Sequence, residues 1–401
     1  MVNNHEELRQ TANQLTARGK GLLAVDESTP TIGKRFAGIN IENKKVNIMV
    51  NNQEELRQTA NQLAARGKGL LAVDESTPTI GKRLAGINLE NTEENRQAYR
   101  GMLFTTEGLG EFISGAILFE ETLYQNHLDG EAMVSKIKKL GIIPGIKVDK
   151  GLSPLAGGHE VETWCKGLEG LAERTAEYYK QGARFAKWRA VLQITADGCP
   201  TDLAIKENAW GLARYAKICQ ESGLVPIIEP EILMDGDHTI EKTAEVQEKV
   251  LVEVYKACSE NNVFLEGTLL KPSMTVSGAD NKNKAGSEEV AKMTVRTMNR
   301  CVPAAVPGIM FLSGGLTEED ASVYLNTMNS IENKSATSLT FSYGRALQQS
   351  CLQAWKGEDL EAGQKALLAR CQANSEASKG DYVAGSQPSS QETLFEAGYK
   401  Y

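Results

Sequence analysis

Eight short apolar runs, separated by stretches with helical periodicity, set the strongest limit on what this chain can fold into. The runs are GLLAVDES (69–76), ISGAILFE (113–120), IIPGIKVD (142–149), ARFAKWRAV (183–191), LVPIIEPEI (224–232), FLEGTLLKP (264–272), GIMFLSGG (308–315) and SLTFSYGRA (338–346). Between them, segments such as LEGLAERTAEYYKQG and VQEKVLVEVYKACSE carry the 3.6-residue period of amphipathic helices. Strands that alternate with helices predict a parallel sheet, and eight such units predict an α/β fold of the (β/α)8 TIM-barrel type. The alternative is an open doubly wound sheet. It requires a glycine-rich GxGxxG turn after the first strand, and none follows there.

The beginning of the chain is written twice. Residues 1–43 recur at 49–91, and only His5/Gln53, Thr16/Ala64, Phe36/Leu84 and Ile41/Leu89 differ. Near-identity in a single pair of copies speaks for a recent partial duplication rather than a solenoid, which needs at least three units. Only the second copy runs directly into the following helix pattern, so it is expected to fill the native slot. The expected organisation is an extra segment at 1–48, a barrel at 49–371 and a mobile tail at 372–401, the tail being rich in Ser, Gly and Ala.

Bulk properties exclude several function classes. The net charge of -8 argues against nucleic acid as a partner. No apolar run is long enough to span a bilayer, so no membrane partner is expected. Seven cysteines without a CxxC fit a reducing compartment better than a disulfide framework. Four histidines without an HxxH or HExxH give a catalytic zinc little to build on, so no metal is expected. MVNNHEELRQ lacks the apolar centre of a leader, which predicts a cytoplasmic location, or a plastid one if a leader has been removed.

The strands carry charge where a core should be apolar. Residues i and i+2 share a strand face, so Lys187 pairs with Arg189, Glu229 with Glu231, and Lys147 with Asp149. Asp74 ends the first run, Lys271 lies near the end of the sixth, and Arg345 follows the eighth. Any one of these is read most simply as a salt-bridge partner. Together, on strands whose C-terminal ends converge in a barrel, they point to one site made of Asp74, Lys147, Lys187, Arg189, Glu229, Lys271, Ser313 and Arg345. A lysine beside other cations and an apolar wall becomes an available amine for carbonyl attack, and nearby acids can move its protons. Arg345 and the Ser313-Gly314-Gly315 turn suit a phosphate, and separate basic clusters suggest an anion at each end of the substrate. A GG pair by itself more often only shapes a turn.

The motifs AVDESTPTIGKR, GIKVDKG, FAKWR, EPEI, GTLLKPSM, FLSGG and FSYGRAL, in this order, resemble those of class I fructose-bisphosphate aldolases from about residue 50 to the end. AYRGMLFTTEGLGEFISGAILFEETLYQ is most similar to the plant and algal forms, plastid ones included. The resemblance implies a (β/α)8 barrel, a homotetramer, a sugar-phosphate substrate and no metal or cofactor. It implies a lyase that reversibly cleaves fructose 1,6-bisphosphate to glycerone phosphate and glyceraldehyde 3-phosphate, in glycolysis and gluconeogenesis or the Calvin cycle. By the same resemblance Lys271 forms the Schiff base, Glu229 relays protons with Glu231 close by, and Asp74 helps to break the C3–C4 bond. Lys187, Arg189 and Lys147 line the substrate. Ser313, Gly314, Gly315, Ser342, Gly344 and Arg345 hold one phosphate, Ser76 and Arg83 lie near the other end, and Tyr401 supports the bisphosphate preference. Segment 1–48 is expected to have no family counterpart, which leaves Asp26 and Arg35 as non-catalytic duplicates. Thr79 stands where the family commonly has serine.

Overall fold

The computed structural model describes residues 52–333 and 337–398. A helix over 52–63 leads into β1 (Gly69–Val73), followed by β2 (Ile113–Leu118) and β3 (Ile143–Lys147). A short antiparallel hairpin, β4 (Leu152–Pro154) and β5 (Thr163–Cys165), interrupts the alternation. The chain then continues through β6 (Phe185–Leu192), β7 (Val225–Ile232), β8 (Leu269–Leu270), β9 (Gly308–Phe311) and β10 (Ser338–Tyr343). All but the hairpin close into one parallel barrel in the order β1-β10-β9-β8-β7-β6-β3-β2. This is the (β/α)8 TIM barrel expected from the eight apolar runs.

Alternation along the strands splits the core in two. Leu70, Ala72, Ile117, Phe185, Val225, Ile227, Leu269 and Met310 form an inner cluster, and Leu56, Ala60 and Leu63 of the first helix join it. The outer cluster, including Trp188, Ile228, Phe311 and Tyr343, packs under the helices. Bulky inner residues need room: a Cβ at Gly145 would lie 2.3 Å from the Phe185 ring, so only glycine admits that ring. Four of the surrounding helices start at threonines that accept a backbone hydrogen bond: Thr92 from Asn95, Thr201 from Ala204, Thr239 from Lys242 and Thr317 from Asp320. Among the described residues no helix is long and apolar enough to cross a membrane.

The inner strand of the second copy, β1, pairs with both β2 and β10, while the first copy lies outside the described residues. Two of the four differing positions are tightly packed here. Leu84 is fully buried, and a Cβ at Gly308 would approach the Ala64 Cβ to 2.7 Å. The first copy has Phe36 and Thr16 at these places. In a chain begun at Met49, Leu84→Phe and Ala64→Thr are each expected to lower stability by about 1–3 kcal/mol through overpacking. Urea unfolding measures this, and midpoints equal to the parent's would show that the two copies are interchangeable.

The last helix, Leu360–Ala377, runs through residues 371 and 372, the expected junction between barrel and tail. Beyond it the chain is held to the barrel by buried charge. Glu318 accepts hydrogen bonds from the backbone N–H groups of Ser350 and Ser390, and Arg370 donates to the Glu318 carbonyl. Glu319 accepts from Tyr382 and from the Gly385 N–H.

Candidate active site

The inner strand faces turn from apolar to charged at their C-terminal ends. Asp74 continues the face of Leu70 and Ala72, Lys187 that of Phe185, Glu229 that of Val225 and Ile227, and Lys271 that of Leu269. The register places Lys147 beside Lys187 and Arg189 beside Glu229. Periodicity therefore delivers these groups to one level of the barrel without any special backbone.

At that level the charges form a chain. The Lys187 Nζ lies 2.7 Å from Asp74 Oδ2 and 3.3 Å from Glu229 Oε2. The other oxygen of Glu229, Oε1, is 3.0 Å from the Lys271 Nζ. Arg189 Nε donates to Glu231. Burial would raise the Asp74 carboxyl, but the ammonium groups of Lys187, Lys147 and Lys271 outweigh it and hold Asp74 well below the usual carboxylate range. Glu229 follows the same logic: burial opposes its charge, and Lys187, Lys271 and Arg189 more than restore it, leaving its pKa lowered. Burial pushes Lys147 down from an ordinary lysine, partly offset by Asp74 and Asp149.

A cavity opens above this chain. Asp74, Arg83, Arg189, Glu229, Glu231, Lys271, Ser313, Gly314, Ser342, Gly344 and Arg345 line it, all of them expected from the sequence. Lys187 is not among the lining residues, being fully buried beneath it. Lys147 sits to one side, its Nζ 5.2 Å from the centre of the Phe119 ring. The Ser76 hydroxyl is 2.9 Å from that of Thr79. Arg83 pairs with Glu75 and comes near Gly344, whose added Cβ would lie 4.0 Å from Arg83 Nη2. Gly315 adjoins the tail, since a Cβ there would stand 3.2 Å from the Phe395 Cα. Tyr401 lies outside the described residues.

Two contributions were missed in the sequence. Glu75 lines the cavity and pairs with Arg83, and its place directly after Asp74 could have signalled it. The Leu394 carbonyl accepts a hydrogen bond from Arg345, and the Gly398 N–H donates to Asp235. A backbone carbonyl carries no sequence signature, so nothing marked that contact.

A buried amine beside a carboxylate, below a cavity edged with guanidinium groups and a glycine turn, is equipped for imine chemistry on an anionic carbonyl compound. Fold and site together define an enzyme class: a barrel lyase of the Schiff-base type. The family model for fructose-bisphosphate aldolase class I matches residues 7–51 and 55–401. The chain is 55% identical over 399 residues to Arabidopsis thaliana fructose-bisphosphate aldolase 3, chloroplastic, covering 99% of this chain and 88% of that protein. It is 56% identical to the cytosolic aldolase 4 of the same plant, covering 98% and 89%. A crystal structure of Plasmodium falciparum fructose-bisphosphate aldolase, in complex with TRAP and a small-molecule inhibitor, superposes with a TM-score of 0.82 at 55% identity, covering 84% of this chain and 97% of that one. The chain belongs to the class I fructose-bisphosphate aldolase family. Its activity is the reversible cleavage of fructose 1,6-bisphosphate to glycerone phosphate and glyceraldehyde 3-phosphate. The match to 7–51 falls on the first copy, as its near-identity to residues 49–91 requires.

Proposed function

We propose that Lys271 is the amine that forms the imine with C2 of the substrate, and that Glu229 moves its protons. The observation that carries this reading is the Glu229 carboxylate, which spans Lys271 on one oxygen and Lys187 on the other. Glu229 first takes a proton from the Lys271 ammonium, the freed amine attacks the carbonyl to give a carbinolamine, and Glu229 returns that proton to the departing hydroxyl, releasing water and leaving the iminium. Asp74 takes the proton of the C4 hydroxyl. The C3–C4 bonding pair flows into the iminium, glyceraldehyde 3-phosphate departs, and an enamine remains. Protonation at C3 and addition of water to the imine then release glycerone phosphate and restore the amine. Lys187 keeps Asp74 and Glu229 ionised, and Glu231 orients Arg189 toward the cavity.

The same proposal assigns Ser313, Gly314, Gly315, Ser342, Gly344 and Arg345 to one phosphate. Ser76 and Arg83 serve the other end, with Arg83 near enough to Gly344 to reach the first group. Lys147 and Arg189 line the sugar between them, and Tyr401 serves the bisphosphate preference. Trapping the imine tests the core of this assignment, as set out in the Discussion.

The catalytic fold is proposed to begin at 49, with its tail starting beyond the helix Leu360–Ala377 rather than at 372, and segment 1–48 to stand outside it. A homotetramer is proposed as the assembly. Its support is an apolar surface on two neighbouring helices: Leu203 and Trp210 of Asp202–Glu221 are 45% and 47% exposed, and Val252 of Ile240–Glu260 is 56% exposed. Lys249 and Asp202, 2.6 Å apart, join the two helices. Trp210→Glu is expected to reduce the particle mass measured by light scattering, whereas an undiminished tetramer would place the interface elsewhere. The relatives include cytosolic and chloroplastic forms. The seven cysteines are unpaired, which supports a reducing compartment, and the cytoplasm is proposed; a fluorescent fusion retained in plastids would overturn that.

A further inference from the structure

We propose that Phe119 is a positioning residue for the reaction: its ring, at the mouth end of β2, holds the Lys147 ammonium beside Asp74. The Lys147 Nζ lies 5.2 Å from the ring centroid, within the range in which a cation is drawn to an aromatic face. The ring is itself set in a rigid frame. The Arg100 guanidinium lies 5.8 Å from the same centroid and is fully buried. Arg100 donates to Glu121 at 2.6 Å and to the Glu75 carbonyl at 3.1 Å. Arg96 forks onto the same Glu121 carboxylate. Glu121 stands two residues after Phe119, and Glu75 directly follows Asp74. One guanidinium thus ties the ends of β1 and β2 together with the ring between them.

A ring suits this position better than a carboxylate would. The charged groups that act on Lys147 are Asp74, Asp149 and Glu75, which favour its charge, and Lys187, which opposes it. Burial disfavours the ammonium form, and the attraction of the ring face works against that penalty. A carboxylate at 119 would pair with Lys147 outright and draw its field away from Asp74. An aromatic face attracts the cation without a net charge and leaves that field available, and Lys147 is one of the groups that keep Asp74 ionised. The inference rests on the proposed roles of Asp74 and Lys147.

The test places a series of increasingly fluorinated phenylalanines at position 119 of the full-length chain. Fluorination weakens the negative face of the ring while nearly preserving its shape. Cleavage of fructose 1,6-bisphosphate is then expected to lose kcat/KM stepwise, to about tenfold at the end of the series, a scale set by a partly desolvated cation–π contact. Phe119→Tyr should remain within about twofold of the parent, because the ring face is retained. In a Lys147→Met background the same series should be flat. A flat series in the parent chain overturns the inference, as does an equal slope in both backgrounds. Full activity of Lys147→Met alone would remove the underlying reading of Lys147, an outcome distinct from either.

Discussion

Lys271→Ala is expected to abolish covalent capture of fructose 1,6-bisphosphate on borohydride reduction, and to lower kcat by about 10⁴-fold or more, the scale on which loss of a single nucleophile acts. Two amines lie close to Glu229, and the geometry distinguishes them. The Lys271 Nζ reaches the cavity and has one carboxylate oxygen at 3.0 Å. Lys187 is fully buried, is held between Asp74 and Glu229, and does not line the cavity. An amine that forms a bond must give up its ion pairs and meet the substrate. Lys271 has fewer to give up and the shorter path. Mass mapping of the reduced adduct reads the attachment site directly. Adduct on Lys187, or full labelling of the Lys271→Ala variant, would overturn the assignment.

Glu229→Gln should slow turnover by about 10²–10⁴-fold, the usual contribution of a positioned proton-transfer group. The substitution keeps the shape of the side chain and removes the charge between two buried ammonium groups. Breaking a buried ion pair from one side leaves an uncompensated charge, so stability should fall by about 3–5 kcal/mol. The pH dependence has a definite sign. Glu229 and Asp74 both have folded pKa values lowered from those of free carboxyls. Their stabilisation is complete above the unfolded values and is lost as pH falls through the depressed folded ones. The Gln variant should therefore lose part of the acid-side slope of stability, measured by urea unfolding across an acidic pH series. A reduced slope with unchanged kcat would show that Glu229 is only a structural partner.

The barrel and most of its mouth were legible because they follow from period. A charge two residues beyond an inward apolar residue must point into the barrel, and Lys187 after Phe185 and Glu229 after Ile227 obey that rule. Even β8, with only Leu269 and Leu270 in the strand, delivers Lys271 by the same spacing. What was not legible has no period. The hairpin Leu152–Pro154 with Thr163–Cys165 is too short to show alternation. Phe119 reads as one more apolar strand residue, and its value comes from Arg100 and Lys147 on other elements. The contact between Arg345 and the Leu394 carbonyl joins segments 49 residues apart through a group that every residue carries. Sequence pattern shows faces of elements; it does not show which faces meet at long range.

The pairing of β1 with β10 as well as β2 also sets an order of events. On a growing chain the barrel cannot close until β10 has emerged, so its first strand waits through nearly the whole of synthesis. During that wait two nearly identical segments are present for one place. To reach β2, the earlier segment must close a loop about twice as long as the later one, a handicap of only about 0.6 kcal/mol. Proximity alone would leave the outcome close. The small residue at Ala64 and the slimmer one at Leu84 let the later segment, once seated, stay seated.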